Sequence, residues 1–326
     1  MKKNFVLLIV SIVIITITSA CSTTAVNEGG YKVKSIRIHS GVTFAYAIQQ
    51  IMRIDGLLEK HLPEGVAIEW ENLGIGSANQ RDAMMAGKLD ISGLSLLSYI
   101  TAVENGLPLV LISGNLPQPF ALYTTRGDIN SFSDINESQR ICMSDRGTNV
   151  EMTFTLRCRE VFGDATKFNN NIVNLTDADM VSLVQSDDTY ELYAVGFPSL
   201  QIMEKLDNTK LVEDLTETSI KYGIGVVFVT TEKFYEDNPA LMNAFRKALE
   251  EAGEYIQENP EEAAQKLAEY YGEVTAEDVL TLLKKCPVNF KIQNYDEISE
   301  VLLEMGILSK PAMKFTELPY YNEIPR

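Results

Sequence analysis

The sequence predicts an α/β fold of two lobes, each a mixed sheet flanked by helices, joined by a hinge of two crossing segments. Three observations carry this. Segments of strand and helix periodicity alternate through residues 33–112, the pattern of parallel strands covered by helices. A second set of similar units follows the run at 120–125. The apolar run at 224–229 then reads as a strand returning to the first set, and from residue 238 onward the pattern is helical.

Taken in order, residues 33–39 alternate as a strand does, and 44–55 reads as a helix closed by Gly56. A strand at 66–70 leads through Gly74-Ile75-Gly76-Ser77 into a helix at 78–86. A short strand at 89–92, a helix at 96–104 and an apolar strand at 109–112 complete the first set. In the second set, strands fall at 140–143, 172–174 and 192–195, with the best helix at 148–162. Asn238-Pro239 and Asn259-Pro260 each place a capping residue before a first-turn proline, where a missing N–H costs nothing. The implied division is a first lobe of 31–122 with 225–326 and a second lobe of 123–224.

Ahead of the lobes, Lys2 and Lys3 precede an apolar run at 5–15, which is too short for a bilayer span of about 20 residues. Residues 1–20 therefore read as a secretory leader. Thr18-Ser19-Ala20-Cys21 resembles the bacterial lipobox, in which the cysteine is acylated and becomes the mature N-terminus. Thr18 stands where leucine is usual, which leaves ordinary cleavage or an uncleaved anchor as alternatives. The polar residues 21–30 read as a flexible tether, so the expected location is the outer face of a membrane, held by lipid.

The remaining chain is long enough for two domains, and 45% hydrophobic residues supply a core. A formal net charge of −17 disfavours nucleic-acid binding, since no basic face is left to displace counterions from phosphates. It does not exclude an anionic ligand, because backbone dipoles decide the potential inside a cleft. Cys142, Cys158 and Cys286 are odd in number and lack metal-ligand spacing, so no metal site is expected. They read as small buried hydrophobes, with a Cys142–Cys158 disulfide open if the helix between them runs back antiparallel.

Three loops place a turn ahead of a helix at the carboxyl edge of a predicted sheet. They are Ser40-Gly41-Val42-Thr43-Phe44, Gly74-Ile75-Gly76-Ser77 and Ser144-Asp145-Arg146-Gly147-Thr148-Asn149. Ser77 with Gln80, and Thr148 with Glu151, have the spacing of capping boxes. A helix start offers unpaired donors and partial positive charge, so a small anion docks there without a lysine. Each capped turn alone is an ordinary helix start; what favours a site is that open α/β sheets bind ligands beyond their strands' carboxyl ends. Catalytic patterns are poor. His39 and His61 show no companion nucleophile, the glycines at 74 and 76 lack the third of a dinucleotide fingerprint, and no phosphate loop occurs. Glu250-Glu251 and Glu261-Glu262 fall on solvated helix faces. No enzyme activity and no cofactor are expected.

Several stretches resemble one family, the periplasmic or lipid-anchored binding proteins of ABC importers for nitrate, sulfonates, taurine and thiamine-pyrimidine precursors. They are residues 56–60, the long segment 76–91, Asn105-Gly106-Leu107-Pro108-Leu109-Val110, Phe234-Tyr235-Glu236-Asp237-Asn238-Pro239 and Met305-Gly306-Ile307-Leu308. The resemblance covers nearly the whole mature chain and implies the two-lobed type II periplasmic binding protein fold, with the lobes closing about the hinge on a small solute. It implies ABC permease and ATPase subunits as partners, attachment to the membrane through Cys21, and a monomer. By position it carries ligand contacts to Ser40 and Phe44, Gly76 and Ser77, Leu94 and Ser95, and Thr148 and Asn149. Ser113, Arg146, Phe197 and Tyr222 follow with less direct matches.

The family often has an acidic Trp-Asp-Pro or Trp-Glu-Pro segment where this chain has Val195-Gly196-Phe197-Pro198. The acidic contact suited to an amine is missing at Phe197, which favours an organic sulfonate, carboxylate or heteroaromatic over taurine. Two other readings stand beside the receptor. One is an enzyme of the thiamine-pyrimidine synthase type, whose cysteine-rich motif this chain lacks. The other is a sensor subunit that hands its solute to a signalling receptor.

Overall fold

In a computed structural model, residues 30–74, 77–144, 147–186, 192–272 and 274–325 are described. The first set of elements is β1 (Ser35–His39), α1 (Ala47–Ile54), α2 (Leu57–His61), β2 (Ala67–Glu71), α3 (Ser77–Met85), β3 (Ile91–Ser95), α4 (Leu96–Glu104) and β4 (Leu109–Ser113). A 3₁₀ turn at Phe44–Tyr46 precedes α1. The second set is β5 (Phe120–Thr124), β6 (Ile141–Met143), α5 (Asn149–Phe162), β7 (Ile172–Asn174), α6 (Asp177–Gln185), β8 (Leu192–Gly196), α7 (Ser199–Glu204), β9 (Lys210–Asp214) and α8 (Thr216–Tyr222). The chain then returns through β10 (Val226–Thr231), α9 (Glu232–Asp237), α10 (Pro239–Glu258), α11 (Pro260–Tyr271), α12 (Ala276–Lys285) and α13 (Tyr295–Glu304).

Two five-stranded mixed sheets result, with strand orders β2-β1-β3-β10-β4 and β7-β6-β8-β5-β9. β1, β2 and β3 are parallel, and β10 inserts antiparallel between β3 and β4, so the late apolar run does return to the first sheet. In the second sheet β6, β7 and β8 are parallel while β5 runs against β8 and β9. Phe120, Ala121 and Leu122 were assigned to the end of the first lobe; they pair instead with β8 in the second sheet. β9 and the helices α6, α7 and α8 escaped the sequence reading. β9 is an edge strand with only Val212 buried, so its sequence carries no apolar run, and α7 is six residues long.

The crossing segments lie backbone to backbone. Pro117 and Gly225 form an antiparallel bridge, and Gln118 N donates to Ile224 O at 2.9 Å. A Cβ on Gly225 would stand 2.1 Å from Leu116 O, so only glycine permits this approach. A third run, not foreseen, joins the hinge: Gly114 N donates to Phe290 O at 2.9 Å and Asn289 N to Asn115 O at 3.2 Å.

Alternation along the strands divides the core by sheet face. Ile36, Ile38, Cys142, Tyr193 and Val195 pack with α1, α10 and α11, whereas Leu109, Leu111, Ile141, Met143, Leu192 and Ala194 pack with α4, α5 and α13. Each apolar cluster therefore runs across both sheets, which requires the lobes to be in contact. Cys142, Cys158 and Cys286 are buried and form no disulfide; Cys142 and Cys158 face opposite sides of the second sheet, which rules out the pairing left open by the sequence. Among the described residues no helix is long and apolar enough to cross a membrane.

Candidate functional site in the cleft between the sheets

The carboxyl edges of the two sheets face each other. The loop after β1 forms one wall, and buried amides hold it. Gln49 Nε2 donates to His39 O at 2.9 Å, while the side-chain amides of Gln50 and Asn115 donate to Gly41 O and Ala45 O. Tyr46 fills the space beneath, its hydroxyl donating to Gly93 O at 2.7 Å, and a Cβ on Gly41 would sit 2.2 Å from its ring. Ser40 is buried, accepts from Arg53 Nη1 at 2.9 Å and lies 3.3 Å from the Tyr270 hydroxyl. Arg53 is in turn stacked over Trp70. His39 is also buried; Leu73 N donates to its Nδ1 at 3.4 Å and the Gln80 amide lies 3.1 Å from its Nε2. Burial lowers its pKa to about 4, so the ring is neutral and structural. His61 pairs with Glu251 at 2.7 Å.

Ser77, Ser95 and Gly147 meet across the cleft. Ser95 N donates to Ser77 Oγ at 3.3 Å; Ser95 Oγ caps α4 by accepting from Ser98 N at 3.1 Å and donates to Gly147 O at 3.4 Å. This last contact joins the end of β3 in one sheet to the loop after β6 in the other. Ser77 thus turns to Ser95, and its expected partner Gln80 turns to His39 and to Gly74 O.

On the second wall, Thr148 occupies the N-cap position of α5 without capping it. The expected box with Glu151 does not form, because the Glu151 carboxylate reaches past Thr148 to accept from Gly147 N at 2.7 Å. Thr148 Oγ1 is left buried with no partner among the described residues. Asn149 binds the hinge itself: its Nδ2 donates to Gly225 O at 3.0 Å and to Gln118 Oε1.

Phe44 and Phe197 come from opposite lobes and pack with ring centroids 5.9 Å apart, at 1% and 7% exposure. Phe197 also meets Tyr271 edge to face with centroids 4.8 Å apart, and Tyr271 meets Tyr270 at 6.0 Å. Asp177, at the start of α6, is bonded to Ser199 two residues beyond Phe197, and burial raises its pKa to about 6. Tyr270, Tyr271 and Asp177 were missed in the sequence. The tyrosines end a helix that looked remote from the cleft, and their only local signal was a tyrosine pair just before Gly272.

The structure does not bring every expected contact to this place. Leu94 is fully buried in the core on the α4 side. The Ser113 hydroxyl donates to Gly114 O at 2.9 Å and lines a cavity of about 320 Å³ beside Arg246, Glu250 and Asn289 at the hinge. Tyr222 is buried under Lys221, which pairs with Glu160 in the last turn of α5, away from the first turn that faces the cleft. Gly76 and Arg146 lie outside the described residues, as does Cys21. Among the described residues no cluster of acidic, histidine or cysteine side chains is arranged to hold a metal.

Solved structures share this architecture. The periplasmic aliphatic sulphonate binding protein SsuA from Escherichia coli superposes with a TM-score of 0.72 at 17% identity, covering 88% of this chain and 92% of that one. The alkanesulfonate-binding protein SsuA from Xanthomonas axonopodis pv. citri, bound to MOPS, gives 0.71 at 15% identity over 86% and 96%. The periplasmic nitrate-binding protein NrtA from Synechocystis PCC 6803 gives 0.63 at 15% over 85% and 83%. At these identities the likeness shows the fold, that of the periplasmic binding proteins. No curated protein matches the sequence. The sequence model of the family described as "NMT1/THI5 like" matches residues 64–263, a span from just before β2 into α11 that takes in most of both sheets, and the chain belongs to that family.

Proposed function

We propose that this protein is the solute-binding component of an ABC importer, holding a small organic anion or heterocycle between its lobes. The observation that carries the reading is the meeting of Ser77, Ser95 and Gly147 across the cleft, together with the Phe44–Phe197 contact between the lobes, because both bring residues at element ends of the two sheets into contact. The sulfonate- and nitrate-binding proteins that share the fold support the solute class. A receptor is favoured over a catalyst because His39 and His61 are committed to structural partners and the cysteines at 142, 158 and 286 are buried. The chain acts as a monomer, anchored through an acylated Cys21 on the outer face of the membrane, with permease and ATPase subunits as partners.

A thermal-shift screen of residues 22–326 against sulfonates, nitrate, pyrimidines and small carboxylates tests the reading, since a ligand that binds only the native state raises the midpoint. Ser77→Ala and Thr148→Ala should each weaken the shift of any hit. A hit whose shift survives both changes refutes the assignment of the cleft. For the anchor, Cys21→Ala should move the protein from the membrane fraction to the medium, and unchanged fractionation overturns it.

A further inference from the structure

The cleft has a third wall that neither the loops nor the strand ends supply. α11 packs on α1 in the first lobe, yet its last two residues reach into the zone where the lobes meet. Tyr270 brings its hydroxyl to Ser40, and Tyr271 packs edge to face with Phe197. The following helix continues the bridge to the second lobe through Asp278 with Lys205, 3.1 Å apart, and Lys285 with Asp214. A helix pair anchored on one lobe thus bridges to the other.

The Tyr271 hydroxyl is buried with no hydrogen-bond partner among the described residues. A buried hydroxyl without a partner loses its hydration and recovers nothing, so such groups are rare unless another molecule completes them. Burial also holds this hydroxyl protonated far above its usual range, which makes it a donor at any physiological pH. Thr148 Oγ1 is in the same condition on the second-lobe wall. The rings of Phe44, Phe197 and Tyr271 meet where the lobes join, and aromatic rings prefer a flat unsaturated neighbour stacked or set edge to face.

We propose that Tyr271 is a specificity-determining residue of the solute site, its hydroxyl donating to a polar atom of the solute while its ring, with Phe44 and Phe197, selects a planar unsaturated body over a small inorganic or aliphatic anion. The inference rests on the cleft being the solute site. It adds the element that discriminates within the anion class.

Isothermal calorimetry with matched probes tests it: benzenesulfonate against ethanesulfonate, and benzoate against acetate, on residues 22–326. The ringed member of a pair should bind at least tenfold more tightly. Tyr271→Phe keeps the ring contact and removes only the hydroxyl; it should weaken the ringed probe about tenfold and raise the unfolding midpoint of the protein without solute. Tyr271→Ala should abolish the preference for the ring. Equal affinity within each pair, or a Tyr271→Phe protein that binds like the parent, overturns the role of Tyr271 while leaving the cleft as a receptor site. Failure of all four probes to bind overturns the inference and the anion-receptor reading together.

Discussion

The two walls of the cleft are held in different ways. In the first lobe, the loop from His39 to Tyr46 is fixed chiefly by its own lobe: Gln49 and Gln50 project from α1 onto its carbonyls, and Tyr46 wedges against Gly93. In the second lobe, the start of α5 is fixed to the hinge, because Asn149 bonds Gln118 on one crossing segment and Gly225 on the other. Apart from the tie of Asn115, on a crossing segment, to Ala45 O, the first wall therefore moves with its lobe. The second is indexed to the hinge, so a bend between 114–118 and 223–225 would be transmitted to the helix start that faces the cleft.

The largest expected effect breaks the hinge side of this contrast. Gly225→Ala would drive a methyl into a backbone oxygen that cannot rotate away, and should cost about 3 kcal/mol or more in urea unfolding. A midpoint equal to the parent's would show that the crossing segments are not in backbone contact. Next, Asn149→Ala strips the donor from one buried and one half-buried acceptor and should cost about 2 kcal/mol. It should also change solute affinity, whereas Gln50→Ala, a loss of about 1 kcal/mol on the first wall, should leave affinity within about twofold. If the two variants alter affinity equally, the walls are not held differently.

Titration separates the lobes further. In the first, His39 has a folded pKa of about 4 against an ordinary 6.5, so the fold favours the neutral ring; its contribution is present above pH 6.5 and is lost as pH falls towards 4. In the second, Asp177 is raised from 3.8 to about 6, so the fold holds its proton more tightly and gains stability as pH falls through 6 towards 4. Asp177→Asn should raise the unfolding midpoint at pH 7.5 and have little effect at pH 4. His39→Gln should flatten the acid side of the stability profile between pH 6.5 and 4. A profile that neither change alters would mean that the two groups are solvated. The smallest effect belongs to the surface pairs of α12: Lys205→Ala or Lys285→Ala should cost about 0.5 kcal/mol or less, and less still at high salt.

Much of the fold was legible because period and punctuation are local. The strands at 33–39 and 109–112, the helix at 148–162 and the proline-started helices at 239 and 260 appear where their apolar spacing and caps put them. The candidate site was legible in part, since Ser40, Ser77, Ser95, Thr148 and Asn149 sit on loops or at the element ends that flank them, whose position follows from strand order. The roles of these side chains were less legible. Thr148 and Glu151 have the spacing of a box, yet Glu151 found a closer donor in Gly147 N. Tyr222 ends α8 directly before the hinge residues 223–225, yet its ring packs under Lys221.

By itself the sequence determined the alternation of elements, the return of the apolar run at 224–229 to the first sheet, and which loops stand at the carboxyl edges, because propensity, periodicity and capping act over a few residues. Only the tertiary structure decided which side chains from those loops meet, that residues 289 and 290 join the hinge, and that Tyr270 reaches Ser40 across 230 residues of chain while Tyr271 reaches Phe197. Those contacts arise from packing two sheets and a helical hairpin against one another. Packing joins groups by shape and burial, and no local pattern records which distant residue will fill the remaining space.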